Sequence, residues 1–449
     1  MTDKQNICQV AFSALDAKAL KSWYQQAFGL LDAGGTIFGG PSTTRVQGLP
    51  GVWEKCGWLI DSQHYFQLEF FQFWNPKTKP RRSDWQPSHI GYNMLGIAVI
   101  DFEQTLDRLQ NLNSVPLTEP MGERGDRRVC VKDPEGNLVE VLEQDPLSTA
   151  AGLRVRPEIP ATVRSMTLSV PNLQRAIKTW QDGLGLELIA NPTLHSDEHS
   201  ALWGMKDARL ERAVLSSGNL LIELVQYLEP TPQGWPEGYR ICDQGFMNVA
   251  VGLPDKAAFE HRYNHVVLQG LRPNGKPLEI GVFKVMYVND ADGFSVELLY
   301  ARPQLWSFSG FNPVIPYVEN EMWIKAPPEQ VWPAITDHNG IGAWCLFKGR
   351  LITAGAPDEN GLGAVRELRA LGLKITEKVT SWEPNHRYSY TLTAGAPLKN
   401  HLGDVRLSKE NGGTRVRWSI RFNPVIPGTG KLTAWLLRLI FRNALRRLK

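Results

Sequence analysis

The sequence predicts an α+β chain with four strand–helix–strands repeats, followed by a separate region in which strands precede a long final helix. Two similar stretches carry this prediction, Val131–Glu143 and Val288–Tyr300, because each contains an acidic residue and a glycine in a turn between two strand-like runs. Glutamates recur at matching places: Glu223 follows Glu69 by 154 positions, and Glu297 follows Glu140 by 157. Such recurrence indicates duplication of a whole domain.

The first 145 residues contain two of the repeats. Residues 7–15 alternate like a strand, and Asp16 then opens an amphipathic helix that stops at Gly29. Strand-like runs follow at 52–60 and 64–74. The cycle restarts with a strand at 93–100, a helix at 101–112, and strands at 127–132 and 137–143.

The run from 64 to 74 predicts a cavity wall. Phe66, Leu68 and Phe70 share one face by period-two alternation and suit a core packed by a helix. The opposite face carries Glu69, Phe71 and Phe73. A carboxylate on an otherwise apolar face is costly unless it is paired, hydrogen-bonded or used, so this face is expected to line a cleft.

Two segments without periodicity set the predicted boundaries. Residues 146–162 carry prolines and no regular pattern, and residues 302–316 are similar, so both are expected to be linkers. The predicted domains are therefore 1–145, 163–301 and 317–449. The second of these repeats the first, with a strand at 163–170, a helix from Asn172, and Glu223 in the place of Glu69.

Composition narrows the classes of partner. The formal charge of +3 on 449 residues predicts no general attraction to nucleic acid. No apolar signal core begins the chain and no run is long enough to span a membrane, so a cytoplasmic protein without stable membrane insertion is expected. The five scattered cysteines predict reduced, buried thiols rather than disulfides. The sequence does not indicate an oligomeric state.

Residues 5–301 resemble the vicinal oxygen chelate superfamily, which includes glyoxalases and bleomycin-resistance proteins. The resemblance rests on the helix endings YQQAFGL and WQDGLGLEL, the strands GYNMLGIAV and GFMNVAVGL, and the closing DPEGNLVEVLE and DADGFSVELLY. It implies four βαβββ units that pair into two glyoxalase-like domains, each curled into a cleft that usually holds a divalent metal. Consecutive units are expected to pair.

The resemblance also implies which residues occupy the usual ligand positions. In the first expected domain these are Gln9, Glu69, Met94 and Glu140, and in the second they are Ser165, Glu223, Asn248 and Glu297. A thioether is a soft ligand that matches hard or borderline divalent ions poorly, and serine and asparagine are weak neutral donors. We therefore expect neither domain to hold a cofactor or a tightly bound metal.

Two interpretations of Glu69 and Glu140 stay open. In the first, both are remnants of an ancestral metal site that are held by hydrogen bonds and do no chemistry. In the second, they form a pair in one cleft. Two carboxyls so close together cannot both ionise cheaply, so one would act as an acid and the other as a base. In the second case Gln9 would donate a hydrogen bond, and Phe71 and Phe73 would lower the local polarity. The spaced histidines, His195 with His199 and His261 with His265, are expected to lie on the surface rather than to bind metal.

Residues 317–449 resemble the START-like family of polyketide cyclases and lipid-transfer proteins. The segments APPEQVWPAITD, GAVREL, ITEKVTSWEPNHRYSYTL and GGTRVRWSIRF carry this resemblance, which implies a helix-grip fold around an apolar tunnel. Alternation places four polar side chains on inner faces: Arg366, Glu377, Tyr388 and Tyr390. They orient a ligand, or Arg366 and Glu377 form an ion pair across neighbouring strands that serves the fold alone.

The last predicted helix is amphipathic and basic. Arg438, Arg442 and Arg446 follow one side, and Trp435, Leu436 and Leu439 lie near the other. We expect a solvated basic stripe over an apolar face that lines the tunnel; the alternative is a contact with a membrane surface or a partner. The hexapeptide FNPVIP occurs at 311–316 and 422–427. The only explanation that the sequence offers is that its prolines end strands at the edges of a sheet.

Three functions remain open at this stage. The first is a metal-independent lyase, isomerase or cyclase that acts on a small hydrophobic carbonyl compound, of polyketide, steroid or aromatic type, with Glu69 and Glu140 as catalytic groups. The second is a carrier or sequestering protein for a small hydrophobic molecule, with Gln9, Met94, Glu223, Glu297 and the four polar residues of the last domain as ligand contacts. The third is a metal-dependent enzyme like glyoxalase or a dioxygenase. Fold analogy alone does not choose among them.

Overall fold

A computed structural model describes residues 6–148, 154–156, 159–190, 194–205, 207–312, 316–370, 372–424 and 429–448. The chain divides into two compact regions, Met1–Pro313 and Val314–Lys449. They are called the N-terminal region and the C-terminal region.

The N-terminal region contains the four expected repeats. Repeat 1 has β1 (Asn6–Ser13), α1 (Ala17–Phe28), β2 (Leu31–Gly39), α2 (Gly40–Gln47), β3 (Trp53–Ile60) and β4 (Gln67–Asn75). Repeat 2 has β5 (Gly91–Val99), α3 (Phe102–Asn111), β6 (Arg128–Lys132) and β7 (Leu138–Leu142). Repeat 3 has β8 (Ala161–Ser169), α4 (Leu173–Lys178), β9 (Glu187–Leu188), β10 (Arg209–Ser216) and β11 (Leu221–Glu229), with a 3-10 turn at Asp197–Trp203. Repeat 4 has β12 (Gly245–Gly252), α5 (Lys256–Leu268), β13 (Arg272–Pro273), β14 (Leu278–Ile280), β15 (Phe283–Asn289) and β16 (Ser295–Ala301).

Local sequence explains how the first helix is placed. The Asp16 side chain accepts a hydrogen bond from the backbone N–H of Ala19, and Gly29 ends the helix in the left-handed region with φ 65°. The apolar stripe of α1 is buried, and Tyr24 packs against Phe12 and Phe70 of the sheet beneath it. These aromatic contacts fix the helix on the side of the sheet opposite the face that carries Glu69.

The repeats pair as 1 with 4 and 2 with 3. The first sheet has the order β13-β15-β16-β12-β1-β4-β3-β2, with β14 paired to β15, and the second has the order β6-β7-β5-β8-β11-β10-β9. The prediction that consecutive repeats pair was therefore wrong. The strands β1 and β12 pair antiparallel in the first sheet, and β5 and β8 do so in the second, so each sheet joins repeats that are not the expected partners.

Strand register brings particular glutamates together. In the first sheet Glu69 lies opposite Ala11 on β1, and Glu297 lies opposite Ala250 on β12. In the second sheet Glu140 lies opposite Gly96 on β5, and Glu223 lies opposite Thr167 on β8. Each sheet therefore carries one glutamate on either side of its central antiparallel pair.

The C-terminal region is an antiparallel sheet with a long last helix. Its elements are β17 (Tyr317–Ile324), α6 (Pro328–Thr336), β18 (Lys348–Thr353), β19 (Val365–Ala370), β20 (Leu373–Glu383), β21 (Arg387–Ala394), β22 (Leu398–Glu410), β23 (Gly413–Pro424) and α7 (Gly430–Leu448). The sheet order is β17-β23-β22-β21-β20-β19-β18. Strand follows strand in sequence except at β17, which returns beside β23.

These elements confirm the predicted α+β fold class, with four repeats followed by a sheet and a long C-terminal helix. All five cysteines are free and buried. Within the described residues, no helix is long and apolar enough to cross a membrane. Both copies of FNPVIP lie partly outside the described residues.

Candidate functional site

The first sheet forms a cleft around two glutamates, which we call the first cleft. Gln9, Glu69 and Glu297 line it, and Asn248 lies opposite Ala11 on the neighbouring strand. The remaining wall is mostly apolar and is formed by Phe38, Val46, Phe71, Leu278, Ile280, Phe283, Val285 and Leu299. The cleft encloses about 60 Å³. A water molecule needs roughly 10–15 Å³ by this measure, so the reacting part of any substrate is small.

Glu69 is buried in this cleft and held through one oxygen. Its Oε1 accepts hydrogen bonds from Trp58 Nε1 at 2.7 Å and from Cys56 Sγ at 3.2 Å. Burial raises the pKa of Glu69 to about 7, and these two hydrogen bonds oppose the rise. The carboxyl therefore exchanges its proton near neutral pH, which is the range where a general acid or base works best.

Two further carboxyls share the cleft. Burial raises the pKa of Glu297 well above its usual value, and the charge of Glu69 raises it further. Burial also raises the pKa of Glu54, although Gln47 Nε2 donates a hydrogen bond of 2.6 Å to its Oε1. Near neutral pH the arrangement therefore holds at least one protonated carboxyl beside one that can ionise.

Unpartnered polar atoms face this cluster of carboxyls. The buried Oε1 of Gln9 has no hydrogen-bond partner in the described chain, nor do the side-chain nitrogen and oxygen of Asn248. Buried polar groups are normally satisfied, and those left free in a cleft are suited to bind a polar group of a ligand. Phe71 lines the cleft directly, and Phe73 packs beside it with ring centroids 5.9 Å apart.

The second sheet carries a different arrangement, which we call the second cleft. His195 lies between the two glutamates, with Nε2 2.7 Å from Glu140 Oε2 and Nδ1 2.7 Å from Glu223 Oε2. Both ring nitrogens donate only when the imidazole is protonated. Burial alone would lower the pKa of His195, but the two carboxylates outweigh it and raise the pKa to about 9. An imidazolium thus stands between the carboxylates.

Apolar side chains close the second cleft around this triad. Leu202, Trp203 and Met205 are buried against Met94. The Trp203 ring also contacts the His195 ring edge-on, with 5.0 Å between the two ring centroids. The segment 194–205 therefore packs as a plug over the sheet. Ser165 is buried on β8 of this sheet, and its hydroxyl has no hydrogen-bond partner in the described chain.

Two sequence predictions about this part of the molecule were wrong. Glu69 and Glu140 do not share a cleft, because they belong to different sheets and have different partners: Glu69 accepts from Trp58, whereas Glu140 binds His195. His195 is not on the surface, because its side chain is fully buried between two carboxylates. The pair that the structure assembles in the first cleft is Glu69 with Glu297.

The donors present do not fit a tightly held metal ion. The first cleft offers the carboxyls of Glu54, Glu69 and Glu297 with neutral amides, and in the second cleft the two carboxylates already hydrogen-bond His195. Among the described residues, no group of three or more His, Cys, Asp or Glu side chains is arranged to hold a metal. We therefore derive no chemical step through one.

Metal content is directly measurable. We expect the full chain, dialysed with manganese, nickel or zinc salts and then freed of excess, to retain far less than a stoichiometric amount by elemental analysis. The matched control is the Glu297→Gln variant, which removes one of the three carboxyls of the first cleft. Stoichiometric metal in the wild type that is lost in this variant would contradict the expectation and favour a metal-dependent enzyme.

A buried polar cluster lies in the C-terminal region. Arg366 and Glu377 face each other on β19 and β20, with Arg366 Nη2 2.7 Å from Glu377 Oε2 and Nε 2.8 Å from the same oxygen. The guanidinium also lies over the Tyr390 ring, 4.7 Å from its centroid, and contacts His338 Nδ1 at 3.2 Å. The predicted ion pair therefore exists, and it is buried.

The two tyrosines complete this cluster. Tyr388 and Tyr390 are buried with ring centroids 5.8 Å apart, and Trp418 Nε1 donates a hydrogen bond of 2.8 Å to the Tyr390 hydroxyl. His338 Nε2 and His401 Nδ1 are buried without partners in the described residues. All four predicted residues thus lie inside the region, and these two ring nitrogens remain available to a polar ligand group.

Sequence reasoning missed Glu54, Gln47 and His195. A signal for Glu54 was present, because alternation along β3 places Glu54, Cys56 and Trp58 on one face, and Trp58 lies opposite Glu69. Gln47 lies on the short helix α2, in a stretch that reads as a glycine-rich loop. For His195 the local sequence is polar and carries no periodic signal.

Comparison with known proteins gives one family match and several similar solved structures. Residues 317–449 match the family model described as polyketide cyclase / dehydrase and lipid transport. Among solved structures, glyoxalase I from Zea mays is similar at 16% identity over 66% of this chain and 92% of its own, with a TM-score of 0.46. A putative dioxygenase from Bacillus subtilis is similar at 14% identity over 67% of this chain and 87% of its own, also with a TM-score of 0.46.

A further similar solved structure covers a smaller part of the chain. The Bacillus cereus protein XoxI is 22% identical over 29% of this chain and 92% of its own, with a TM-score of 0.26. No curated protein matches the chain. The family match supports the START-like resemblance of residues 317–449, and the described topology contains the four repeats that the other resemblance implies.

Proposed function

We propose that the first cleft is the active site of a lyase, isomerase or cyclase that moves protons on a small carbonyl compound. The observation that carries this proposal is the group of three buried carboxyls, Glu54, Glu69 and Glu297, with raised pKa values around a small, mostly apolar cleft. Such groups of perturbed carboxyls in a cleft are typical of proton-transfer sites.

The proposed step uses the two glutamates in opposite roles. The Glu69 carboxylate removes a proton from the carbon next to the substrate carbonyl, and the neutral Glu297 carboxyl donates its proton to the carbonyl oxygen as the enol forms. In a substrate with a carbon–carbon double bond next to the enol, Glu69 returns its proton to a different carbon while the enol oxygen gives its proton back to Glu297. This gives an isomer and restores both carboxyls. Glu69 is suited to act as the base because the pKa of about 7 leaves a substantial fraction ionised at neutral pH.

Neighbouring side chains would support this step. The free Oε1 of Gln9 and the amide of Asn248 would hold the polar end of the substrate. Phe38, Phe71 and Phe283 keep the surroundings apolar, and an apolar environment keeps the carboxyl pKa values raised. The substrate class that fits is a small carbonyl compound with an apolar body.

The C-terminal region is proposed to bind a hydrophobic molecule. The family model that matches residues 317–449 covers polyketide cyclases and lipid transport. The buried cluster of Arg366, Glu377, Tyr388 and Tyr390 would orient the polar end of such a molecule within an apolar interior.

Deuterium exchange tests the enzymatic proposal. We expect the full chain in D₂O to speed exchange at the carbon next to the carbonyl in some members of a panel of small ketones and aldehydes, followed by proton NMR. The Glu69→Gln variant should lose at least about a hundredfold of this rate, as is typical when a general base is removed.

The control is Glu211→Gln, which changes an exposed glutamate on β10 and should leave the rate unchanged. No exchange with any member of the panel, or exchange equal in the wild type and Glu69→Gln, would contradict the enzymatic proposal. A hydrophobic molecule retained by the wild type and by Glu69→Gln alike in native mass spectrometry would then favour a carrier.

A further inference from the structure

The last helix, α7, has two apolar faces. Its inner face packs on the core of the C-terminal region through Phe441, Ala444 and Leu445, which are buried. Its outer face carries Leu432, Trp435, Leu436 and Leu439 with exposed fractions of 61%, 55%, 47% and 41%. Leu432 and Phe441 are nine positions apart, about two and a half helical turns, so the two faces lie on opposite sides.

The outer face contradicts one expectation from the sequence. Trp435, Leu436 and Leu439 do not line a tunnel, because they lie on the side of α7 away from the sheet. Scattered exposed apolar residues need no explanation, but four at spacings of three and four residues form a continuous stripe. This stripe is about two turns long.

Cations flank the stripe. Lys431, Arg438, Arg442, Arg446 and Arg447 lie on α7, and the helix contains no acidic residue. Among the described residues, none of the five has a carboxylate within ion-pair distance. Their charges are therefore available to an anionic partner.

We propose that α7 binds the surface of a membrane that contains anionic lipids. The stripe of Leu432, Trp435, Leu436 and Leu439 would enter the boundary between headgroups and acyl chains, and the flanking cations would contact the anionic headgroups. Tryptophan favours this boundary because its ring is apolar and its N–H is polar. The helix lies along the surface, since no helix in the described chain is long and apolar enough to span.

Charge favours a lipid surface over a second copy of the chain. Two copies joined through these faces would bring two sets of five cations together without any acidic residue of α7 to offset them. An anionic bilayer supplies negative charge over its whole surface. It also accepts a convex apolar stripe without a preformed groove.

Vesicle co-sedimentation of the full chain tests the proposal. We expect binding to phosphatidylcholine vesicles that contain phosphatidylglycerol, and at least about tenfold weaker binding to phosphatidylcholine alone or at high salt. The double variants Leu432→Ser/Trp435→Ser and Arg438→Glu/Arg442→Glu should each weaken binding by at least about tenfold. If the first variant fails to fold, the second tests the proposal independently.

Matched controls lie elsewhere in the same region. Ile352→Ser changes a side chain on β18 that is 51% exposed, and Arg350→Glu changes an exposed cation on the same strand; both should bind as the wild type does. No binding to anionic vesicles, equal binding to neutral ones, or binding insensitive to both double variants would overturn the proposal. Self-association of the wild type that Leu432→Ser/Trp435→Ser removes would also overturn it, in favour of a contact between copies.

Discussion

Replacing His195 by leucine should destabilise the N-terminal region by about 3–5 kcal/mol, the usual cost of removing one partner from a buried ion pair. Glu140 and Glu223 would be left facing each other in a dry interior, since the plug of Leu202, Trp203 and Met205 closes the cleft. Arg128, whose Nη1 is 3.7 Å from Glu140 Oε1, would offset only part of this charge.

Urea unfolding with hydrogen exchange read by mass spectrometry measures this effect. Loss of protection should concentrate in peptides that contain residues 138–142, 194–205 and 221–229. The control is His199→Leu, because burial lowers the pKa of His199 to about 4 and its ring is neutral. This variant loses the capping contact with Ser196, at about 1 kcal/mol, and the edge-on contact with the His195 ring, but no ion pair.

A triple variant separates charge from packing. In His195→Leu/Glu140→Gln/Glu223→Gln the carboxylates are neutral, and we expect it to regain part of the stability that His195→Leu loses. If the single and triple variants were equally unstable, or if His195→Leu were as stable as His199→Leu, the imidazolium would not be what holds the second cleft together.

The contribution of His195 to the free energy of unfolding also depends on pH. Its pKa is about 9 in the folded chain, above the unperturbed value near 6.5, so the folded state binds the proton more tightly. The stabilisation is therefore fully present below about pH 6.5 and is lost as pH rises through about 9. The difference in stability between the wild type and His195→Leu should shrink in that window.

Local patterns were enough to predict the elements and their order. Alternation located the strand that carries Glu69, and Asp16 and Gly29 marked both ends of α1. Each of these features depends on residues within one or two turns, which is why the sequence reveals them. The ion pair of Arg366 with Glu377 was also within reach, because the two residues lie on strands joined by a short turn.

Local sequence patterns do not predict which repeat pairs with which. Both arrangements, consecutive repeats or repeats 1 with 4 and 2 with 3, bury the same apolar faces and keep the same strand patterns. The choice depends on contacts between distant segments, such as Asn274 of repeat 4 with the backbone of Val46 in repeat 1. Glu69 was therefore placed on the right face of its strand but beside the wrong glutamate.

The second cleft shows a further limit of the sequence. His195 lies in a polar segment between Pro192 and the acidic residues Asp197 and Glu198, and nothing local predicts that it inserts between two strands. Two buried glutamates that lack ligands of the expected kind do, however, require a compensating charge. A search for an unassigned cation, rather than for a metal, would have pointed to a histidine, lysine or arginine in repeats 2 or 3.

The second large effect concerns Glu69. Replacing it by glutamine should remove a carboxyl that titrates near pH 7, because burial in the first cleft holds its pKa there. The pKa of Glu297 should fall at the same time, since the charge of Glu69 contributes to its rise. A neutral amide at position 69 retains the size of the side chain and can still bind Trp58 or Cys56, so the fold should be preserved.

The raised pKa of Glu69 also makes the free energy of unfolding depend on pH. The folded state binds the Glu69 proton more tightly than the unfolded chain does, so this group favours folding below about pH 4.5 and loses that effect as pH rises through about 7. Glu69→Gln should consequently be less sensitive to pH than the wild type across this range. Thermal unfolding of the full chain at a series of pH values measures the difference.

Infrared difference spectroscopy of the carboxyl band, recorded as the full chain is titrated, tests most directly whether the first cleft holds a proton-transfer pair. Asp133 and Asp290 have pKa values raised to about 6 by burial and contribute to the same band, so the variants must be compared with the wild type. We predict a component near pH 7 that disappears in Glu69→Gln and persists in Glu211→Gln. Titration curves that are the same in these two variants would contradict the account.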